Sequence, residues 1–91
     1  MTVVKICGMR ELSHMVAATE AGADMLGMVF VPTVRRYIEP EKAQKLAGEF
    51  RGTQRSTAEW QFGKLRLQGV ALVGLFADQP IEEVNEVVTR V

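Results

Sequence analysis

The chain has 91 residues, of which 47% are hydrophobic and 24% are charged, a composition typical of a small globular domain rather than a disordered or fibrous protein. Its eleven basic and eleven acidic residues cancel, so the charge gives no reason to expect nucleic acid or an anionic membrane as a partner. The single cysteine excludes an internal disulfide. With no long apolar run and no basic-then-apolar N-terminal signal, the sequence predicts a cytoplasmic protein.

The first predicted element is a short β-branched strand that ends at Cys7 and Gly8. Val3, Val4 and Ile6 are expected to be buried on both faces, as is usual in parallel sheets. Gly8 then allows a turn at the carboxyl end of the strand, where α/β proteins collect ligands and catalytic groups. Cys7 therefore lies where a thiol could act in catalysis, although a small buried strand residue is the alternative interpretation.

A helix is predicted over residues 11–21, because apolar residues recur at helical spacing and Gly22 follows as a C-terminal cap. Residues 25–30 form a second apolar run and are predicted to be a buried parallel strand. Pro32 favours a loop over residues 31–37, since proline lacks a backbone donor and disfavours a helix before it.

A second helix is predicted to begin at Pro40, with Glu39 as its N-cap. Its buried face is expected to contain Ala43, Leu46, Ala47 and Phe50. The polar segment 51–68 is longer than usual connections in such folds. We interpret it as an insertion, or a helix extension followed by a mobile loop.

Residues 69–76 are predicted to be a third buried strand, followed by a third helix that Asp78 caps. The apolar face of this helix is expected to contain Ile81, Val84, Val88 and Val91. Strands that alternate with amphipathic helices predict an α/β fold with a parallel sheet and right-handed crossovers.

Four segments together resemble the N-terminal part of phosphoribosylanthranilate isomerase, a tryptophan-biosynthesis family: residues 5–10 (KICGMR), 21–30 (AGADMLGMVF), 35–41 (RRYIEPE) and 73–80 (VGLFADQP). The resemblance implies three consecutive βα units of a TIM (βα)8 barrel, incomplete as given. The units span about 2–22, 24–50 and 69–91, with an inserted polar connection over about 51–68.

The resemblance also implies a reaction, an Amadori aldose-to-ketose rearrangement of N-(5-phosphoribosyl)anthranilate. Cys7 would be its general base and Arg36 would contact the anthranilate moiety. The general acid and the phosphate site of the family map to no residue of this chain, Asp78 included. No metal or organic cofactor is implied, and a monomer and a homodimer of the parent protein remain open.

We therefore expect the 91-residue chain to be a truncated, catalytically inactive part of an isomerase. Two other hypotheses remain. The chain could be a non-catalytic oligomerising βα module derived from a barrel, or part of another βα-barrel enzyme that acts on a phosphorylated sugar.

Overall fold

A three-stranded parallel sheet forms the centre of the computed structural model, which describes residues 2–54 and 59–91. In chain order the elements are β1 (Lys5–Ile6), α1 (Leu12–Glu20), β2 (Met25–Val29), α2 (Pro40–Thr53), β3 (Glu59–Phe62), β4 (Leu65–Gln68), β5 (Ala71–Leu75) and α3 (Ile81–Arg90). The strand order in the sheet is β1-β2-β5, and both pairings are parallel. The predicted α/β class with a parallel sheet is confirmed.

The buried residues of all three helices pack against one face of the sheet. Leu26, Met28 and Phe30 alternate along and just after β2, and they join one cluster with the buried residues of α1, α2 and α3. Within that cluster Met15, Leu26, Met28 and Phe50 are almost wholly shielded from solvent. Because side chains alternate along a strand, Lys5, Cys7 and Gly27 belong to the opposite face of the sheet.

The expectation that the first strand is buried on both faces is wrong. Its hydrogen-bonded part is two residues long, and the side chain of Val4 just before it is 44% exposed. The physical reason is position, because β1 pairs with β2 on one side and lies at an edge of the three-stranded sheet. The residues of β5, at the other edge, are half-buried except for exposed Gly74.

The C-terminus of α1 and the N-terminus of α2 lie where the sequence predicts them. Gly22 follows α1 with φ +101°, its N–H donates to the carbonyl of Thr19, and the N–H of Ala23 donates to the carbonyl of Ala18. Helix α2 begins at Pro40 with Glu39 as its N-cap, and all four residues of its predicted apolar face are buried.

In the long polar connection the predicted helix extension is observed, but a β-hairpin takes the place of the predicted mobile loop. Helix α2 continues to Thr53, and β3 then pairs with β4 in antiparallel register around Gly63 and Lys64. Gly63 has φ +60°, the value that the first central residue of a type II′ hairpin turn requires. Part of the predicted connection, residues 55–58 with Arg55, lies outside the described residues.

The hairpin is attached to the rest of the fold at its base. The side-chain amide of Gln54, before the hairpin, donates to the carbonyl of Val70 and accepts from the N–H of Val70, both at 3.1 Å. The indole N–H of Trp60 donates to the carbonyl of Gly69 at 2.7 Å.

The predicted apolar face of α3 is partly wrong. Val87 is its buried residue and Val84 and Val91 are half-buried, whereas Ile81 and Val88 are 65% and 63% exposed. The helix is therefore rotated so that Val87 joins the core and packs beside α2, while Ile81 and Val88 are left exposed. None of the helices in the described ranges is long and apolar enough to cross a membrane.

Candidate active site

Cys7 lies exposed directly after β1, on the sheet face opposite the helices. A Cβ added to Gly27 would lie 3.1 Å from the Sγ of Cys7 and 3.2 Å from the Cα of Cys7. Both distances are shorter than ordinary van der Waals contacts. The absence of a side chain at Gly27 therefore leaves room for the thiol of Cys7. The Met9 N–H donates to the Gly27 carbonyl at 2.9 Å and fixes the turn after Cys7.

Arg36 lies across Gly8, the residue after Cys7. A Cβ built on Gly8 would be 3.0 Å from Cδ of Arg36 and 3.4 Å from its Cγ. Gly8 also has φ +83°, a conformation that residues with side chains adopt only at a cost. The structure thus brings the two sequence-predicted site residues, Cys7 and Arg36, to neighbouring positions at the carboxyl ends of β1 and β2.

A cavity of about 760 Å³ opens beside this contact. The turn after β1, the first turns of α1 and α2, and the loop after β2 form its walls. Four cationic side chains line it, namely Arg10, Arg35, Arg36 and Lys42. Tyr37 and Ile38 provide less polar wall, so the cavity can hold a small anion that also has an aromatic or apolar part.

The side chain of Gln79 links two loops at this edge of the sheet, a role that the sequence did not predict. Its side-chain nitrogen donates to the carbonyl of Phe30 at 2.7 Å, and its side-chain oxygen accepts from the N–H of Ala77. These bonds tie the loop after β5 to the end of β2. The rings of Phe30 and Phe76 also stack between these two segments, with centroids 5.3 Å apart. No periodic pattern marks a glutamine in a loop for this role.

Asp78 does not cap α3, contrary to the prediction. Pro80 occupies the N-cap position, and no side-chain hydrogen bond caps the helix. Asp78 instead has φ +50°, a left-handed conformation that aspartate tolerates better than most residues. In the described ranges no three His, Cys, Asp or Glu side chains are grouped so that they could hold a metal ion.

No protein-family model matches the chain. Its similarity to individual proteins is extensive. It is 35% identical over 85 residues to the N-(5'-phosphoribosyl)anthranilate isomerase of Roseiflexus castenholzii, covering 93% of this chain and 35% of that protein. A solved phosphoribosyl anthranilate isomerase from Thermotoga maritima superposes with a TM-score of 0.75 and 31% identity, covering 99% of this chain and 36% of that one.

A third similar structure is a phosphoribosyl anthranilate isomerase in complex with reduced 1-(o-carboxyphenylamino)-1-deoxyribulose 5-phosphate. It has 31% identity and a TM-score of 0.75, over 99% of this chain and 38% of that one. The chain therefore spans about a third of the length of the relatives it matches. The resemblance seen in the sequence is confirmed: the chain matches the N-terminal part of proteins named phosphoribosylanthranilate isomerase, whose solved structures are TIM barrels.

Proposed function

We propose that this chain contributes the base and one substrate contact to the active site of a cytoplasmic phosphoribosylanthranilate isomerase. The observation that supports the proposal is the contact of the Arg36 side chain with Gly8, the residue directly after the exposed Cys7. The loops at the carboxyl ends of barrel strands are where TIM-barrel enzymes place their catalytic groups.

The reaction would isomerise N-(5-phosphoribosyl)anthranilate to an aminodeoxyribulose phosphate. An acid protonates the ring oxygen of the ribose, and the opened sugar becomes an imine of anthranilate. The thiolate of Cys7 then removes the proton from C2, which gives an enol that tautomerises to the ketone. The solved relative that contains a reduced carboxyphenylamino-deoxyribulose phosphate supports a substrate of this class.

Arg36 would hold the anthranilate part of the substrate. Its guanidinium can pair with the carboxylate and stack on the aromatic ring, two contacts that a lysine cannot make together. Its packing on Gly8 limits the positions that the guanidinium can reach.

The three parallel strands with their helices would be three units of an eight-unit barrel. The acid and the phosphate site would be contributed by other units, so we expect no turnover by the 91-residue chain alone. Turnover by the purified chain would contradict this division of the active site.

A chimaera tests the function directly. This chain would replace the matching N-terminal third of the Thermotoga maritima isomerase, and turnover would be followed with N-(5-phosphoribosyl)anthranilate. We expect activity in the chimaera, a loss of at least about a hundredfold for Cys7→Ser, and a raised KM for Arg36→Gln. Lys64→Gln, in the hairpin turn, is the control that should leave both constants unchanged. A folded chimaera in which Cys7→Ser retains turnover would refute Cys7 as the base.

A further inference from the structure

The cavity beside Arg36 has an excess of positive charge, although the whole chain is neutral. Its walls contain four cations, Arg10, Arg35, Arg36 and Lys42, against the two carboxylates of Glu11 and Glu39. Glu11 is engaged by His14, whose Nε2 lies 3.3 Å from it. Within residues 2–54 and 59–91, none of the four cations takes part in an ion pair.

What sets these four cations apart is that they share one cavity, because within the described residues Lys5, Lys45, Arg51, Lys64 and Arg66 take part in no ion pair either. Arg90, on α3, lies within 4.0 Å of Glu86 and within 3.7 Å of Glu41, so its charge is locally balanced. The cations of the cavity face a common space instead, on both sides of the turn that follows Cys7. A concave surface lined by charges of one sign focuses its field into the cleft and raises the local concentration of the opposite ion.

From this arrangement we propose that Arg10, Arg35 and Lys42 form an electrostatic capture surface, which draws small carboxylate- and phosphate-bearing anions into the cavity and towards Cys7. These residues act before the chemistry, by increasing the rate of encounter, and they need no fixed contact with the ligand. The inference deepens the proposed function and rests on it for the identity of the anion, since the proposed substrate bears both a carboxylate and a phosphate.

The sole cysteine of the chain directly precedes Gly8 of the cavity wall and offers a probe of this field. Iodoacetate and iodoacetamide both react when the Cys7 thiolate forms a bond to carbon and iodide leaves. The first reagent is an anion and the second is neutral. Because the same thiolate attacks both, the ratio of the two rates reports the potential at Cys7, and the fraction of ionised thiol cancels. N-acetylcysteinamide, a neutral small thiol, provides the reference ratio.

We expect the ratio of the iodoacetate rate to the iodoacetamide rate to exceed the reference by about fourfold at low salt, which corresponds to two net charges about 10 Å away in water. In 1 M NaCl the excess should disappear, because the screening length falls to about 3 Å. Arg10→Gln with Lys42→Gln should lower the ratio about fourfold at low salt.

The matched control also removes two positive charges, but from residues outside the cavity. Lys45 lies on α2 outside the cavity and Arg66 lies on β4, so Lys45→Gln with Arg66→Gln should leave the ratio unchanged. Lys5, on β1 two residues before Cys7, is present in every variant, so it does not affect the comparison between variants. Circular dichroism checks that each variant is folded.

Two results would overturn the inference. One is a wild-type ratio equal to that of the reference thiol at low salt. The other is an equal fall in both double variants, which would mean that net charge rather than the cavity sets the potential. Neither result depends on isomerase activity, so an inactive chimaera with a raised ratio would count against the proposed function alone.

Discussion

The side chain of Gln54 forms a two-point hydrogen-bonded clamp on the backbone of Val70. The amide nitrogen donates to the Val70 carbonyl and the amide oxygen accepts from the Val70 N–H, each at 3.1 Å and partly buried. The two residues stand on either side of the hairpin, at the end of α2 and just before β5. The clamp therefore fixes where the chain leaves the fold and where it returns.

Gln54→Ala should destabilise the chain by about 1–2 kcal/mol, because the backbone groups of Val70 lose their partners in a partly buried position. Urea unfolding measures the change, and faster hydrogen exchange at the Val70 amide would locate it. Gln44→Ala is the control, since Gln44 is exposed on α2, the helix that Gln54 follows. Equal stabilities of the two variants would show that the clamp contributes nothing.

Gly8→Ala should cost more than Gly22→Ala, although both glycines have positive φ. A Cβ at Gly22 meets no atom within 4 Å, so this variant reports backbone strain of about 1–2 kcal/mol alone. The Cβ at Gly8 adds a 3.0 Å contact with Arg36. The additional loss should vanish when Arg36 is also replaced by alanine, as a double-mutant cycle of unfolding free energies would measure. An additive cycle would mean that the contact is absent in solution.

Gly27→Ala and Gly48→Ala should change stability in opposite directions. The new methyl at position 27 would meet Sγ of Cys7 at 3.1 Å and Cδ1 of Leu75 at 3.3 Å, so we expect a loss of about 1–3 kcal/mol. At position 48, in α2, it would meet no atom within 4 Å and should add about 0.5–1 kcal/mol of helix stability. Thermal unfolding of both variants tests the pair, and a stabilised Gly27→Ala would contradict the close approach of Cys7.

Val87→Ala should destabilise the chain by about 1–2 kcal/mol, whereas its neighbour Val88→Ala should change stability little. Val87 is 8% exposed and Val88 is 63% exposed, so the two variants remove the same atoms from opposite environments. The free energy of unfolding in urea compares them. The reverse order of the two losses would restore the helix orientation predicted from the sequence.

The features that the sequence predicted correctly depend on local patterns. The apolar face of α2 has a single helical stripe with no competing apolar position, and Gly22 is a strong terminator after α1. The strand-and-turn pattern placed Cys7 at the carboxyl end of the first strand, whereas its role and the choice of Arg36 came from the resemblance, and no sequence pattern indicated the contact through Gly8. Their catalytic and binding roles remain predictions that the chimaera tests.

The features that were missed depend on contacts between distant parts of the chain. In α3 and at its C-cap, valines at 84, 87, 88 and 91 form a broad stripe, and packing against α2 and the core decides which of them are buried. The hairpin did leave a local signal, because the strands EWQF and LRLQ alternate apolar and polar residues around the turn Gly63-Lys64, but each run has only the minimum of four residues and lies in a polar segment. The bond from Gln79 to Phe30 joins residues 49 positions apart, which no local pattern records.

The one tryptophan and the one cysteine of the chain lie in different parts of the molecule. Trp60 is in the hairpin, bonded to Gly69 just before β5 begins, whereas Cys7 follows the carboxyl end of β1. The native sequence therefore already contains a fluorescence donor, Trp60, and a single thiol for labelling, Cys7. With an acceptor dye on Cys7, energy transfer from Trp60 would report motion of the hairpin relative to the sheet without any substitution.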